Sequence, residues 1–295
     1  MTTFTTLKDK KVFNMKQRLI LPAIALICLP FITSYKSADM RSKVLIHTDL
    51  GDIKIVLYDE TPKHRDNFLK LVKDHTLDST LFHRVIQQFM IQGGDIDSKH
   101  AKPGAMLGNG DVGYTIPAEI HPNLYHKRGA LAGARQGDDV NPLRASSGCQ
   151  FYIVQGKTFN DSLMTIMQNN LDHQTKQSIF TTLINKPENA WLKTGFVNGQ
   201  IRAQQTGNLD SLTKYNNILS PMIDAEFAKA PHRTFTDEQR RVYATQGGAP
   251  HLDGAYTVFG EVVEGMDVVD KIAAVQVDGM ARPLTDIHCY FSIVQ

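Results

Sequence analysis

The sequence predicts a mainly β protein interrupted by an α-helical insertion. Three observations carry this: short runs of alternating apolar residues bounded by Gly-rich turns recur along the chain, only two helical patterns accompany them, and the texture changes between Thr158 and Pro250. Many short strands with few helices indicate a closed antiparallel barrel or a sandwich. A composition of 42% hydrophobic and 21% charged residues over 295 positions excludes a disordered, collagen-like or disulfide-scaffold chain.

Ahead of the first strand, the fifteen residues from Leu19 to Thr33 carry no charge, with Lys16 and Arg18 before them and the small residue Ser34 after. This is the basic, apolar, small-residue order of a secretory signal, and it is shorter than the ~20 residues that span a bilayer comfortably. The same stretch also reads as an uncleaved anchor, and Met15 is an alternative start to Met1. Residues 1–34 are therefore expected to be a targeting segment. That makes the protein exported, periplasmic or membrane-associated, with membrane contact only through an uncleaved N-terminus. The formal charge of +2 comes from 32 basic and 30 acidic residues; removing five of the former and one of the latter with this segment leaves 27 against 29. The slightly acidic remainder offers no basic stripe, so no nucleic-acid partner is expected.

Val44, Ile46 and Thr48, then Ile53, Ile55 and Leu57, alternate with polar residues around the turn Asp49-Leu50-Gly51-Asp52 and predict a β-hairpin with one buried face. Thr61-Pro62 offers an N-cap and a first helical position, with Phe68, Leu71 and Val72 on one side of the helix that follows. Strand-like runs follow at 81–91, 129–134, 150–154, 256–263 and 287–294, and Met266 to Ala274 forms a second short helix. Between them, Leu163, Ile166, Met167 and Leu171 recur at helical spacing, as do Ile179, Leu183 and Ile184 before Lys186-Pro187, and Thr236 to Gln239 has capping-box spacing. The insertion thus covers 158–250 and splits a β domain of 43–157 plus 251–295. Its mixed charges indicate a solvated surface, and the face around Trp191, Leu192 and Phe196 is expected to dock on the β domain or to meet clients.

The run from Phe82 through His83, Arg84, Phe89, Met90 and Gln92 to Gly93-Gly94-Asp95 resembles the signature of the cyclophilin family of peptidyl-prolyl isomerases. Gly129 to Ala134, Ser147 to Ile153 and Leu252 to Gly260 agree with three further family segments in order and spacing, over about 160 residues in all. The resemblance implies a closed eight-stranded antiparallel barrel capped by two helices. It also implies an enzyme that rotates Xaa-Pro bonds in unfolded or flexible polypeptides, with no cofactor or metal.

Such rotation breaks amide conjugation, a barrier of roughly 18–20 kcal/mol, without cleaving a bond, so a catalyst must favour the twisted amide. By the resemblance Arg84 is the cation beside the prolyl nitrogen. Gln92 holds the substrate carbonyl or buttresses Arg84, and Phe89, Met90, Tyr152 and Leu252 hold the proline ring. His83, Ala134, Arg135, Gln150, His251 and Tyr256 complete the expected substrate site, His83 with a structural hydrogen bond as an equal alternative. Gln150 and Tyr152, two apart on one strand, share a face. Departures from the family are Gly133 for methionine, Arg135 for asparagine, His251 for the tryptophan of many eukaryotic members and Tyr256 for a pocket histidine. An alternative reading is a catalytically weak peptide-binding or holdase module that uses the insertion.

Other signals carry no site. Gly108 to Gly113 has GxGxxG spacing but neither follows a strand nor opens a helix. No GxSxG, HExxH or CxxC occurs, and His121 and His126 flank Pro122 as an unpromising metal pair. Cys149 and Cys289 lie in strand-like runs, either paired in an oxidising compartment or buried and free.

Overall fold

The structure, a computed structural model, describes residues 41–294; the expected targeting segment at 1–34 lies outside them. Alternation of apolar residues folds β1 (Lys43–Thr48) and β2 (Gly51–Leu57) into the expected hairpin. Helix α1 (Pro62–Lys73) follows, starting at Pro62 as expected, but the Thr61 side chain does not cap it. Glu119, from a distant loop, instead accepts from the Lys63 and His64 backbone N–H groups at 3.1 and 3.0 Å, where a carboxylate also complements the helix dipole.

Next come β3 (Thr80–Leu81), β4 (Arg84–Ile86), β5 (Met90–Gly93), β6 (Thr115–Ile116), β7 (Ala130–Gly133), β8 (Ser146–Ser147) and β9 (Phe151–Val154), and, after the helical insertion, β10 (Val258–Glu264) and β11 (His288–Val294). The main sheet has nine strands in the order β3-β11-β1-β2-β10-β7-β9-β5-β4, and a second pairs β6 with β8. It is an open, curled sheet, not the closed eight-stranded barrel expected from the sequence. Its edges, β3 and β4, are not joined by a ladder although only Phe82 and His83 separate them in the chain. The backbone donors there are spent elsewhere: Phe82 N–H bonds the Ile287 carbonyl at 3.0 Å and Val85 N–H the Ala281 carbonyl at 2.8 Å. The run expected as one strand over 81–91 is broken for a related reason, since Gln88 at φ 60° turns the chain between β4 and β5.

The period-two alternation of the sheet sorts its residues into two environments. Ile91, Leu131, Phe151 and Ile153 enter the larger core, which Phe68, Leu71 and Val72 of α1 close on one side and Val268, Val269 and Ile272 of the last helix, α6 (Met266–Ala273), on another. Met90, Ala130, Ala132, Tyr152 and Val154 point to the opposite face and form a second apolar cluster with Val258 and Ala249. Cys149 and Cys289 are free and buried, and burial pushes the Cys149 thiol up to about 11 and Cys289 higher, so neither is a thiolate at neutral pH.

The insertion forms α2 (Asp161–Ile184), α3 (Ala190–Thr206), α4 (Asp210–Phe227) and α5 (Asp237–Thr245). Asn160 caps α2 through Leu163 N–H, and Thr236 with Gln239 makes the expected capping box of α5. Leu192 and Phe196 do not dock on the sheet. They pack with Ile184 and Leu219 in a cluster among α2, α3 and α4, while Trp191 is 58% exposed. Contact with the β segment comes instead through Met164, Phe235 and Tyr243, which cluster with Phe159 of the insertion and pack on Tyr125 of the β segment. Among the described residues no helix is long and apolar enough to cross a membrane.

Candidate active site

The second face of the sheet carries the expected residues in register. Arg84 on β4 lies opposite Gln92 on β5, and Gln92 opposite Tyr152 on β9, so the three form one row across adjacent strands. Met90, two residues before Gln92, shares its face. Arg84, Phe89, Met90, Gln92, Ala134, Arg135, Tyr152, Leu252 and Tyr256 line one cavity of about 110 Å³. Phe89 reaches it from the β4–β5 turn, and Leu252 and Tyr256 come from the loop that follows the insertion.

A side-chain relay fixes the exposed guanidinium at the rim. Gln150 Nε2 donates to the Gly108 and Gly110 carbonyls, both at 2.9 Å, so its Oε1 is left to accept from Gln92 Nε2 at 3.1 Å. Gln92 Oε1 then accepts from Arg84 Nη1 at 3.1 Å. Main-chain carbonyls thereby dictate which way both amides face, and among the described residues no carboxylate pairs with the cation. Gln150 stands behind the cavity rather than in it.

On the far side, Arg135 lies over the Tyr256 ring, 4.4 Å from its centroid, and its Nε donates to the Ala255 carbonyl at 2.8 Å. Asp138 pairs with Arg135 at 2.7 Å and with Arg144 at 2.8 Å, tying the loop after β7 to the loop of Leu252. The glycine at 133 has a local cause: a Cβ there would lie 2.7 Å from Ser146 Oγ.

Besides Gln150, two expected residues do not line the cavity. His251 stands on the rim with its outer edge exposed and one face against the Phe89 ring, centroids 5.2 Å apart, and this partial desolvation, followed by the nearby His126, lowers its pKa. His83 is buried, and neither ring nitrogen has a partner of good hydrogen-bond geometry among the described residues. Its pKa is lowered, chiefly by burial, which leaves the ring neutral at neutral pH.

Sequence reasoning missed a second, buried relay. Tyr152 Oη lies 2.9 Å from His126 Nε2, His126 Nδ1 lies 2.9 Å from Asp253 Oδ1, and Tyr243 donates its hydroxyl hydrogen to Asp253 Oδ2 at 2.6 Å. With Nδ1–H directed at the carboxylate, Nε2 is left to accept from Tyr152 O–H. Burial raises the pKa of both phenols well above the ordinary value, so both remain donors. The only sequence signal was the position of Asp253 directly after Leu252. Among the described residues no three His, Cys, Asp or Glu side chains converge in metal-binding geometry.

The fold and site thus define a small pocket of mixed apolar and polar lining on the second face of a curled β-sheet, bordered by a fixed cation. The sequence profile of the family described as "Cyclophilin type peptidyl-prolyl cis-trans isomerase/CLD" matches residues 43–209 and 232–290. The chain belongs to this family and to its enzyme class, the peptidyl-prolyl cis-trans isomerases. It is 28% identical over 246 residues to a Staphylococcus aureus protein named as a peptidyl-prolyl cis-trans isomerase, covering 83% of this chain and 87% of that one. It is 29% identical over 248 residues to a Streptococcus pyogenes protein named as a bifunctional phosphatase/peptidyl-prolyl cis-trans isomerase, again over 83% of this chain; it spans 37% of that relative's length. A solved structure of a Cryptosporidium parvum cyclophilin-type isomerase overlaps 86% of this chain and 98% of its own at 19% identity and a TM-score of 0.48.

Proposed function

We propose that this cavity seats the proline of a flexible polypeptide and that Arg84 accelerates rotation about the preceding amide. As the amide twists, conjugation is lost and the prolyl nitrogen becomes pyramidal with a localised lone pair. A guanidinium N–H aimed at that nitrogen stabilises the twisted state more than either planar one, which is the condition for lowering the barrier. Phe89, Met90, Tyr152 and Leu252 hold the ring while the preceding carbonyl swings, and the backbone beside Ala134 and Arg135 meets the extended substrate chain. The observation that carries the reading is the Arg84–Gln92–Gln150 relay, which orients a cation at the mouth of a proline-sized pocket walled on one side by Phe89, Met90, Tyr152 and Leu252.

The clients we propose are proline-containing segments of exported proteins. Support comes from the basic, apolar and small-residue order over 1–34. Isomerisation of a proline tetrapeptide by the intact protein tests the catalytic part: Arg84→Ala should lose about 10²-fold or more in kcat/KM, and equal rates would reject Arg84 as the catalytic donor. Cell fractionation with N-terminal sequencing tests the location, and an intact N-terminus in the cytosolic fraction contradicts export.

A further inference from the structure

The buried relay behind Tyr152 extends into the inserted segment. Asp253 directly follows Leu252, a wall of the proline pocket, and is itself buried. Arg233 donates to the Pro250 and Asp253 carbonyls, both at 2.5 Å, and approaches Asp253 Oδ2 at 3.4 Å. Tyr243, fully buried on α5, reaches the same carboxylate oxygen. The other oxygen, Oδ1, takes the His126 backbone N–H at 2.7 Å and its ring Nδ1, and His126 in turn holds the Tyr152 hydroxyl and stacks on its ring at 5.9 Å.

We propose that Arg233 and Tyr243 are positioning residues for the proline pocket, acting through Asp253 on the Leu252 wall and on the Tyr152 wall together. The loop of Leu252 makes no ladder of its own over 250–256, so side chains place it: Arg135 and Arg144 hold its far end at the Ala255 and Gly254 carbonyls, and the bonds to Pro250 and Asp253 hold the end that carries Leu252. A guanidinium fork on two carbonyls fixes a loop more rigidly than one donor, because both carbonyls must keep a common plane. The carboxylate then couples the two pocket walls, since Oδ2 faces the insertion and Oδ1 faces His126. On this account the inserted segment completes the substrate site, and the inference rests on the proline-pocket reading above.

Pocket walls grip the proline ring alike in planar and twisted forms, so loosening them weakens uniform binding. Tyr243→Phe and Arg233→Gln in the full chain should each raise KM for a proline tetrapeptide about fivefold while kcat stays within about twofold. In a Leu252→Ala background, where the wall is already missing, neither substitution should raise KM further. A fall in kcat at unchanged KM signals only a loss of folded enzyme and overturns the proposal. So does no change in KM, or the same KM rise in both backgrounds. If one variant fails to fold, the other carries the same test. Loss of activity in Arg84→Ala, measured alongside, shows that the pocket reading itself holds when the positioning proposal fails.

Discussion

His64 and His126 are wired alike. His64 Nδ1 lies 2.7 Å from Glu119 and its Nε2 2.9 Å from Ser146 Oγ; His126 Nδ1 lies 2.9 Å from Asp253 and its Nε2 2.9 Å from Tyr152 Oη. Each is thus a carboxylate, an imidazole and a hydroxyl in line, the order that in a hydrolase activates a nucleophile. Neither does so here. Ser146 is 1% exposed, and the space beside His64 and Gly133 is only about 10 Å³, too little for a substrate and barely room for a water. What separates the two relays is the far side of the hydroxyl-bearing residue. Ser146 belongs to the short β8 and Glu119 caps α1, so the His64 relay ties a helix start to a strand. Tyr152 is a wall of the proline pocket, so the His126 relay ends on the substrate side. The same three groups make a structural pin in one place and a support for binding in the other, and geometry without access does not define a catalytic triad.

The comparison can be broken most forcefully at His64. His64→Ala strands the buried Ser146 hydroxyl, takes the ring donor from Glu119 while its two backbone donors stay, and leaves a cavity, which together should cost about 3 kcal/mol in urea unfolding, with KM of the folded enzyme unchanged. A raised KM would show that this relay also reaches the pocket. A smaller effect concerns protonation. Burial holds the His64 imidazole below its ordinary value of 6.5 against the upward pull of Glu119, and His83 is held down in the same sense. The neutral rings are the native forms, so the unfolded chain binds these protons first. Their contribution is complete above the ordinary histidine pKa and is lost as pH falls toward the depressed native values. Urea midpoints should therefore drop between about pH 7 and about pH 5.5, and the drop should shrink in His64→Ala. An unaltered pH slope in that variant would remove His64 from the account.

Much of the site was legible because it depends on local register. Arg84, Met90, Gln92 and Tyr152 fall on one face through the two-residue period of β4, β5 and β9, a property that sequence spacing reports directly. Phe89 depends on the turn at Gln88, whose positive φ nothing in the sequence announced, and that turn also broke the single strand expected there. The closed barrel failed between β3 and β4, where the backbone donors of Phe82 and Val85 turn to Ile287 and Ala281 rather than to a sheet neighbour. Glu119 on α1 was invisible because it arrives from 55 positions along the chain, and Tyr243 on Asp253 because the loop between them folds back; period and capping patterns carry no record of either approach. His126 was read beside His121 as a poor metal pair, when its partners were a carboxylate 127 positions away and a tyrosine 26 away.

The carboxylates of the two relays provide the most direct comparison, because each can be neutralised with little change of shape. Asp253→Asn and Glu119→Gln should both lower stability, each having several donors to disappoint. Their Michaelis constants for one proline tetrapeptide should part: about a fivefold rise for Asp253→Asn and none for Glu119→Gln. Equal Michaelis constants in the two variants would contradict the division of labour between the relays.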